Sequence, residues 1–187
     1  MLRITGGQFK GVPLHAPPHI RATAAKVRQA LYNILAPVIE GARVLDAFAG
    51  SGALGFEALS RGAAFVAFLD SSPDAVLSIR DTLTRLGPDA PRSAWRVLHL
   101  EIEPGLAELA ASEPPFDLVL LDPPYGADEG KKALNSVARY AMLAPAGIVV
   151  IEHHQRTALP EASGPLHQFK RHRYGDTVLS FYRLRSQ

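Results

Sequence analysis

The sequence predicts an α/β fold: a doubly wound, mostly parallel seven-stranded sheet with an antiparallel strand near the C-terminus and a small hairpin-and-helix extension at the N-terminus. Three observations predict it. From Ala42 onward, short apolar runs alternate with helical segments five times, the pattern of a parallel sheet covered on both faces. Near the end, two strand-like segments flank Tyr174-Gly175-Asp176, a tight-turn sequence that adds an antiparallel strand. Before Ala42 the pattern differs, with Gly6-Gly7, Gly11 and Pro13 set between short apolar pieces.

In order, residues 2–14 read as a small hairpin or irregular arm outside the core. Thr23 is placed to cap a helix that carries Val27, Leu31, Ile34 and Leu35 on one face and ends at Pro37. Lys26 and Arg28 lie off that stripe, so they are expected to face solvent. Residues 43–45 read as a strand, 54–59 as a short helix closed by Arg61-Gly62, and 64–69 as a second strand. Pro73 after Ser72 suits the first position of a helix running to Gly87-Pro88. Residues 95–100 form a third strand, 104–111 a short helix and 116–121 a fourth strand. A helix over 128–142, with Leu134, Val137, Ala138 and Met142 inward, precedes a fifth strand at 147–152. Residues 166–173 and 177–184 make the terminal hairpin.

A chain of 187 residues fits one domain, here a basic extension over 1–40 and a core over 41–187. With no cysteine, a disulfide framework and a thiolate metal site are both excluded, and a reducing compartment is expected. No early apolar run has signal-peptide form and none has the length of a membrane span, so a soluble, cytoplasmic protein without membrane contact is expected. Net charge is only +2, yet Arg3, Lys10, Arg21, Lys26 and Arg28 all precede the first acid, Glu40. Lys170, Arg171, His172 and Arg173 form a second basic cluster, and two such clusters suit a polyanionic partner.

In a doubly wound sheet, chemistry belongs beyond the carboxyl ends of the strands, where strand order reverses. Asp46, Asp70 and Asp122 fall at three of those ends. Between Asp46 and the next helix, Gly50-Ser51-Gly52-Ala53-Leu54-Gly55 follows the G-x-G-x-x-G pattern, with Asp70 twenty residues beyond Gly50, the spacing of an acid that holds ribose hydroxyls. A pyrophosphate wants donors and no adjacent carboxylate; Asp46 suits a cationic ligand such as S-adenosylmethionine better than a dinucleotide. Asp122-Pro123-Pro124-Tyr125 closes the fourth strand, and its prolines leave the local carbonyls outside any ladder. A carboxylate, free carbonyls and an aromatic face could hold an NH2 group on a flat ring. The histidines show no metal-ligand spacing: His153 and His154 are adjacent in a strand, and no metal is expected.

Asp46-Ala47-Phe48-Ala49-Gly50-Ser51-Gly52 followed by Asp122-Pro123-Pro124-Tyr125 resembles the class I S-adenosylmethionine-dependent methyltransferases that modify exocyclic amines of nucleic acid bases. More closely, residues 2–184 resemble the bacterial 16S ribosomal RNA methyltransferases acting on N2 of guanine 966. Ile4-Thr5-Gly6-Gly7-Gln8, Arg21-Ala22-Thr23, residues 27–35 and 50–62, Val150-Ile151-Glu152-His153 and Arg173-Tyr174-Gly175-Asp176-Thr177 carry that resemblance. Ala22 stands where the family usually has proline. The family's adenine-binding Asp has its nearest match in Glu101, with Glu103 as the alternative.

The resemblance implies that Asp46, Ala47, Phe48, Gly50, Ser51, Gly52, Asp70, Ser71, Glu101 and Ile102 bind S-adenosylmethionine and its product S-adenosylhomocysteine. It implies a catalytic role for Asp122, Pro123, Pro124 and Tyr125: the base stacks on Tyr125, while Asp122 and a Pro123 carbonyl accept the two amine hydrogens. Lys10, Arg21, Thr23, Lys26, Arg28, Glu152, Arg173 and Tyr174 are the expected RNA contacts, with a small-subunit particle as partner and a monomer as the working state. The rival readings are a DNA adenine-N6 methyltransferase, a nicotinamide-dependent oxidoreductase and a non-catalytic RNA-binding module. The first wants a separate target-recognition domain, the second has no use for Asp-Pro-Pro-Tyr, and the third would tolerate loss of the cofactor site.

Overall fold

The computed structural model describes residues 2–16, 24–124 and 127–185. Its elements run α1 (Ala25–Ile39), β1 (Arg43–Ala47), α2 (Ala53–Ser60), β2 (Phe65–Asp70), α3 (Pro73–Leu86), β3 (Trp95–His99), α4 (Ile102–Ser112), β4 (Phe116–Leu121), α5 (Ala127–Arg139), β5 (Leu143–His154), β6 (Ala162–Ser163), β7 (Leu166–Tyr174) and β8 (Thr177–Leu184). The strands form a single sheet in the order β3-β2-β1-β4-β5-β8-β7-β6. From β3 to β5 the pairing is parallel, and β8 enters antiparallel between β5 and β7. Strand order reverses between β1 and β4, which sets the ligand crevice at their carboxyl ends. Seven strands match the expectation; the two-residue β6 is added at the edge.

Alternation along each strand divides the core. Val44, Val66, Phe68, Leu118, Leu120 and Val150 face α1, α2, α3 and the N-terminal arm. Leu45, Ala67, Leu69, Val119, Leu121 and Ile151 face α4 and α5. Burying each of these side chains other than Ala67 contributes about 1.5–3 kcal/mol. By the same parity Asp46 points to the arm side of the sheet. Ser72 caps α3 by accepting from the Ala75 N–H at 3.3 Å, and Pro73 occupies the first turn. The β7–β8 loop is the two residues Gly175 and Asp176, with a positive φ of 61° at Gly175, as a type II′ turn requires.

Several expectations need correction. The arm is part of the core: Ile4, Phe9 and Leu14 are buried against α1 and α2, and Arg3 bridges Pro13 across the hairpin. Its short apolar pieces give no periodicity to reveal this. Helix α1 passes through Pro37 to Ile39, because proline's fixed φ is helical and only one backbone bond near the end is lost. Ala24 is its N-cap and Thr23 lies outside the described residues. Helix α5 ends at Arg139, and Met142 is buried outside it, in the approach to β5. Strand β5 begins earlier than expected, at Leu143, and a register shift between Phe116 and Leu118 on β4 accommodates its first residues. Arg28 does not face solvent; its side chain is fully buried against Glu57.

Candidate active site

Strand β1 delivers Asp46 to the crevice almost completely buried, at 1% exposure. Its Oδ2 accepts from the Gly55 N–H at 2.7 Å, filling the cap that Gly52 cannot supply to α2. Burial pushes the Asp46 carboxyl well above its usual range; the Gly55 bond opposes this, and the nearby charges of Asp122 and Asp70 push it further up. Three carboxylates thus converge on one rim. Such a site favours a cation, which stabilises the ionised form of Asp46.

The loop after β1 reverses through left-handed backbone. Phe48 has φ 63°, Gly50 54° and Gly52 72°. For a phenylalanine this conformation is strained, and strain of that kind is held where the surroundings over-determine it. The clamps are visible: Ala49 N–H donates to the Leu69 carbonyl at 3.1 Å, Gly52 N–H to the Ala49 carbonyl at 2.7 Å, and Gly50 N–H to Asp70 Oδ2 at 2.7 Å. A side chain at Gly55 would run into the Phe68 ring, so this glycine serves helix-to-sheet packing.

Asp70, at the end of β2, also accepts from the Ser72 N–H through Oδ1 at 2.8 Å. It therefore orders the glycine loop, and each carboxylate oxygen keeps a further lone pair for a hydroxyl. Ser71 beside it is exposed, and its carbonyl lies 3.0 Å from His99 Nε2. Of the two glutamates expected to meet an adenine, Glu103 turns away: its carboxylate accepts from the Ser136 hydroxyl, from Tyr140 Oη at 3.1 Å and from Arg139 at 3.3 Å. The Ser136 bond, countered by slight desolvation, leads the effects that lower its pKa. Glu101 is exposed at the N-cap of α4 without capping it, and the Ile102 N–H, in the first helical position, has no intrahelical acceptor.

Across the switch point, Asp122 and Pro123 are half-buried and Pro124 is exposed at the end of β4; Tyr125 lies outside the described residues. Leu121 pairs with Ile151, so Glu152 on β5 stands level with Asp122. Of the expected RNA contacts, Lys10 and Lys26 are exposed, and Arg21 and Thr23 lie outside the described residues. Arg173 is exposed, with Nε donating to the Gly175 carbonyl at 2.8 Å. Tyr174 is half-buried against the core and packs beside the His172 ring. Arg28 is the exception, removed from the surface by its pairing.

The sequence gives little warning of that pairing. Glu57 on α2, with no side-chain exposure, accepts from the Thr5 N–H at 2.9 Å, Thr5 Oγ1 at 2.6 Å, Arg28 Nε at 3.3 Å and Arg61 at 2.8 and 3.0 Å. Tyr32 Oη donates to the Leu54 carbonyl at 2.5 Å, and Ser60 binds the arm through Gly6, Gln8 and Phe9. The arm and α1 therefore clamp the helix that opens at the glycine loop. Only the four-residue spacing of Glu57 and Arg61 could have been read in advance.

A family model described as conserved hypothetical protein 95 matches residues 2–183. The chain belongs to that family. Its relatives include an Escherichia coli protein named ribosomal RNA small subunit methyltransferase D, 35% identical over 90% of this chain and 84% of its own. A Bacillus subtilis protein, provisionally named an rRNA methyltransferase, is 35% identical over 98% of this chain and all of its own. Among solved structures, an Escherichia coli protein provisionally described as a methyltransferase superposes with a TM-score of 0.84 at 30% identity, covering 100% of this chain and 99% of that one. The family fold is thus the class I methyltransferase fold, as the sheet order and the antiparallel β8 indicate. Among the described residues, no group of three or more His, Cys, Asp or Glu is placed to hold a metal ion, and no helix is long and apolar enough to cross a membrane.

Proposed function

We propose that this protein transfers a methyl group to the exocyclic N2 amine of a guanine in small-subunit ribosomal RNA. The observation that carries the reading is the convergence of Asp46, Asp70 and Asp122 around the left-handed glycine loop at the switch point. The names of the relatives support the RNA substrate.

The residues fit S-adenosylmethionine. A buried carboxyl at Asp46 matches a sulfonium or ammonium, Asp70 retains acceptors for ribose hydroxyls, and Glu101 with the Ile102 N–H offers an acceptor and a donor for an adenine edge. A pyrophosphate would instead face three carboxylates. When bound, S-adenosylmethionine supplies the electrophilic methyl group. The chain's own part is to hold the amine. Asp122 and a Pro123 carbonyl accept its two hydrogens, which turns the nitrogen lone pair outward and stabilises the positive charge that develops there. Tyr125 stacks on the base, and Glu152, level with Asp122, accepts from guanine N1–H.

The test is transfer of labelled methyl to small subunits that lack the modification, with duplex DNA in parallel, followed by mapping of the modified nucleotide. Label on guanine N2 of the ribosomal RNA is expected, and Asp122→Ala should abolish transfer while cofactor binding persists. Label on DNA alone, or full activity in Asp122→Ala, refutes the proposal.

A further inference from the structure

A second cavity lies on the opposite face of the sheet from Asp46. It occupies about 280 Å³ beyond the end of β5, between the loop at residues 155–161 and strands β7 and β8. The active-site rim is next to it: Glu152 belongs to the rim and the following residue, His153, lines the cavity.

Its walls are fixed. The Gln155 N–H donates to the Asp176 carbonyl at 2.8 Å and its Nε2 to Asp176 Oδ1 at 2.5 Å. The Thr157 N–H closes a turn onto the His154 carbonyl at 2.9 Å, and the Gln168 N–H ties β7 to the Glu161 carbonyl at 2.8 Å. His153 Nδ1 lies 3.0 Å from the His154 carbonyl and must donate to it, so Nε2 accepts from the Ser180 hydroxyl at 2.9 Å. Burial, with the charge of Arg171 adding, lowers the His153 pKa and keeps that neutral tautomer. Tyr182 Oη donates its one proton to the Pro160 carbonyl at 2.8 Å and lies 3.3 Å from the Gln168 amide, which in either orientation keeps an N–H to donate.

Two guanidiniums, Arg156 and Arg171, line this cavity, and neither forms an ion pair among the described residues. One carboxylate, Glu161, opposes them. With His153 neutral, the lining carries a net charge of one positive. Its unused donors are the two arginines, the Thr157 hydroxyl and the Gln168 amide. That set matches one singly charged phosphodiester, with guanidiniums able to bind its two free oxygens in a fork. Continuity with the rim favours RNA as the source of the phosphate, since the end of β5 adjoins the place where a target base would meet Asp122.

We infer that this cavity, through Arg156 and Arg171, binds a backbone phosphodiester of the RNA that flanks the target guanine. The inference rests on the RNA reading above. It adds a grip on the α5 side of the sheet, separate from the basic residues of the arm.

The test compares wild type with the double variant Arg156→Ala/Arg171→Ala, both exposed positions, for binding to small-subunit RNA and to S-adenosylmethionine. The double variant should bind RNA about tenfold more weakly, with the slope of log affinity against log salt reduced by roughly 0.7 for the lost single-strand phosphate contact. Its affinity for S-adenosylmethionine and its melting temperature should match wild type. Unchanged RNA affinity and salt slope overturn the inference while leaving the methyltransferase reading intact. If wild type itself binds no RNA, it is that reading which fails. Guanosine 5′-monophosphate provides a third arm: if it binds wild type and is lost in the double variant while RNA binding is unaltered, the cavity is a free-nucleotide site and the phosphodiester inference is overturned.

Discussion

Replacing Glu57 with alanine tests the clamp between arm and core most directly. The substitution removes the carboxylate partner of Arg28, whose side chain has no exposure and keeps a neutral acceptor in the Arg3 carbonyl at 2.5 Å, whereas Arg61 at 20% exposure can turn to water. Removing one partner of a buried ion pair costs about 3–5 kcal/mol, more than the pair itself contributes, because the surviving charge stays desolvated. At ~2–4 °C per kcal/mol for a chain of this size, the melting temperature should fall by roughly 6–20 °C. The assays are thermal and urea unfolding followed by circular dichroism at pH 7, on wild type, Glu57→Ala, and the double variant Arg28→Met/Glu57→Leu. The double variant should recover about 2 kcal/mol or more over Glu57→Ala, since an apolar pair replaces a buried charge that has lost its carboxylate. A loss below about 1 kcal/mol in Glu57→Ala, or no recovery in the double variant, refutes the reasoning and assigns the clamp to packing alone. Acid unfolding gives an independent check. Burial raises the Glu57 pKa, but the Thr5 hydroxyl and N–H and the Arg61 guanidinium outweigh it and the net shift is downward from 4.5. Its contribution is therefore present above about pH 4.5 and lost as pH falls through the lowered value, and Glu57→Gln should lack that acid limb.

Asp46 has the opposite sign: its raised pKa means that its contribution is complete in acid and declines as pH rises, so unliganded Asp46→Asn should gain stability over wild type toward alkaline pH. The same variant should bind S-adenosylmethionine more weakly by about 1.5–3 kcal/mol, and calorimetry in buffers of differing ionisation heat should show wild type releasing protons on binding. Equal heats in all buffers would count against a cation beside Asp46. Glu101→Ala should raise the dissociation constant for S-adenosylmethionine about tenfold, the worth of one hydrogen bond. Glu103→Ala should leave it within about twofold, because its carboxylate serves α5. Ala141 is an exposed residue at φ 49° just beyond α5; Ala141→Gly should stabilise the fold by about 1 kcal/mol in thermal melts, with methyl transfer unchanged.

The sheet was legible because burial on both faces leaves near-continuous apolar runs, such as Leu118-Val119-Leu120-Leu121 in β4, that nothing else explains. Caps and breakers were legible where one residue decides, as at Ser72-Pro73 and Gly175. The arm was not, because Ile4, Phe9 and Leu14 meet the core singly and share no period. The acids of the rim could be found from spacing alone, since strand ends in a doubly wound sheet all open onto one crevice. What spacing could not supply was the state of each acid. Asp46 and Asp70 look alike in sequence, but one is buried beneath the loop while the other ties the loop down through Oδ2 and the turn into α3 through Oδ1.

Arg28 shows why the remainder stayed hidden. On a helix whose apolar stripe is Val27, Leu31 and Leu35, a cation one position away is indistinguishable from a solvating charge until its partner is known, and Glu57 is 29 residues distant. The pairing changes what the basic extension does. Lys10 and Lys26 remain available to a polyanion, while Arg28, with Tyr32 on the next turn, fastens α1 to α2. Because α2 opens at Gly52 and Gly55 binds Asp46, one series of contacts joins the arm and α1, through α2, to the loop and to the buried carboxyl beneath it. An extension expected to serve only the nucleic acid is therefore also part of the frame that holds the cofactor loop in its strained conformation.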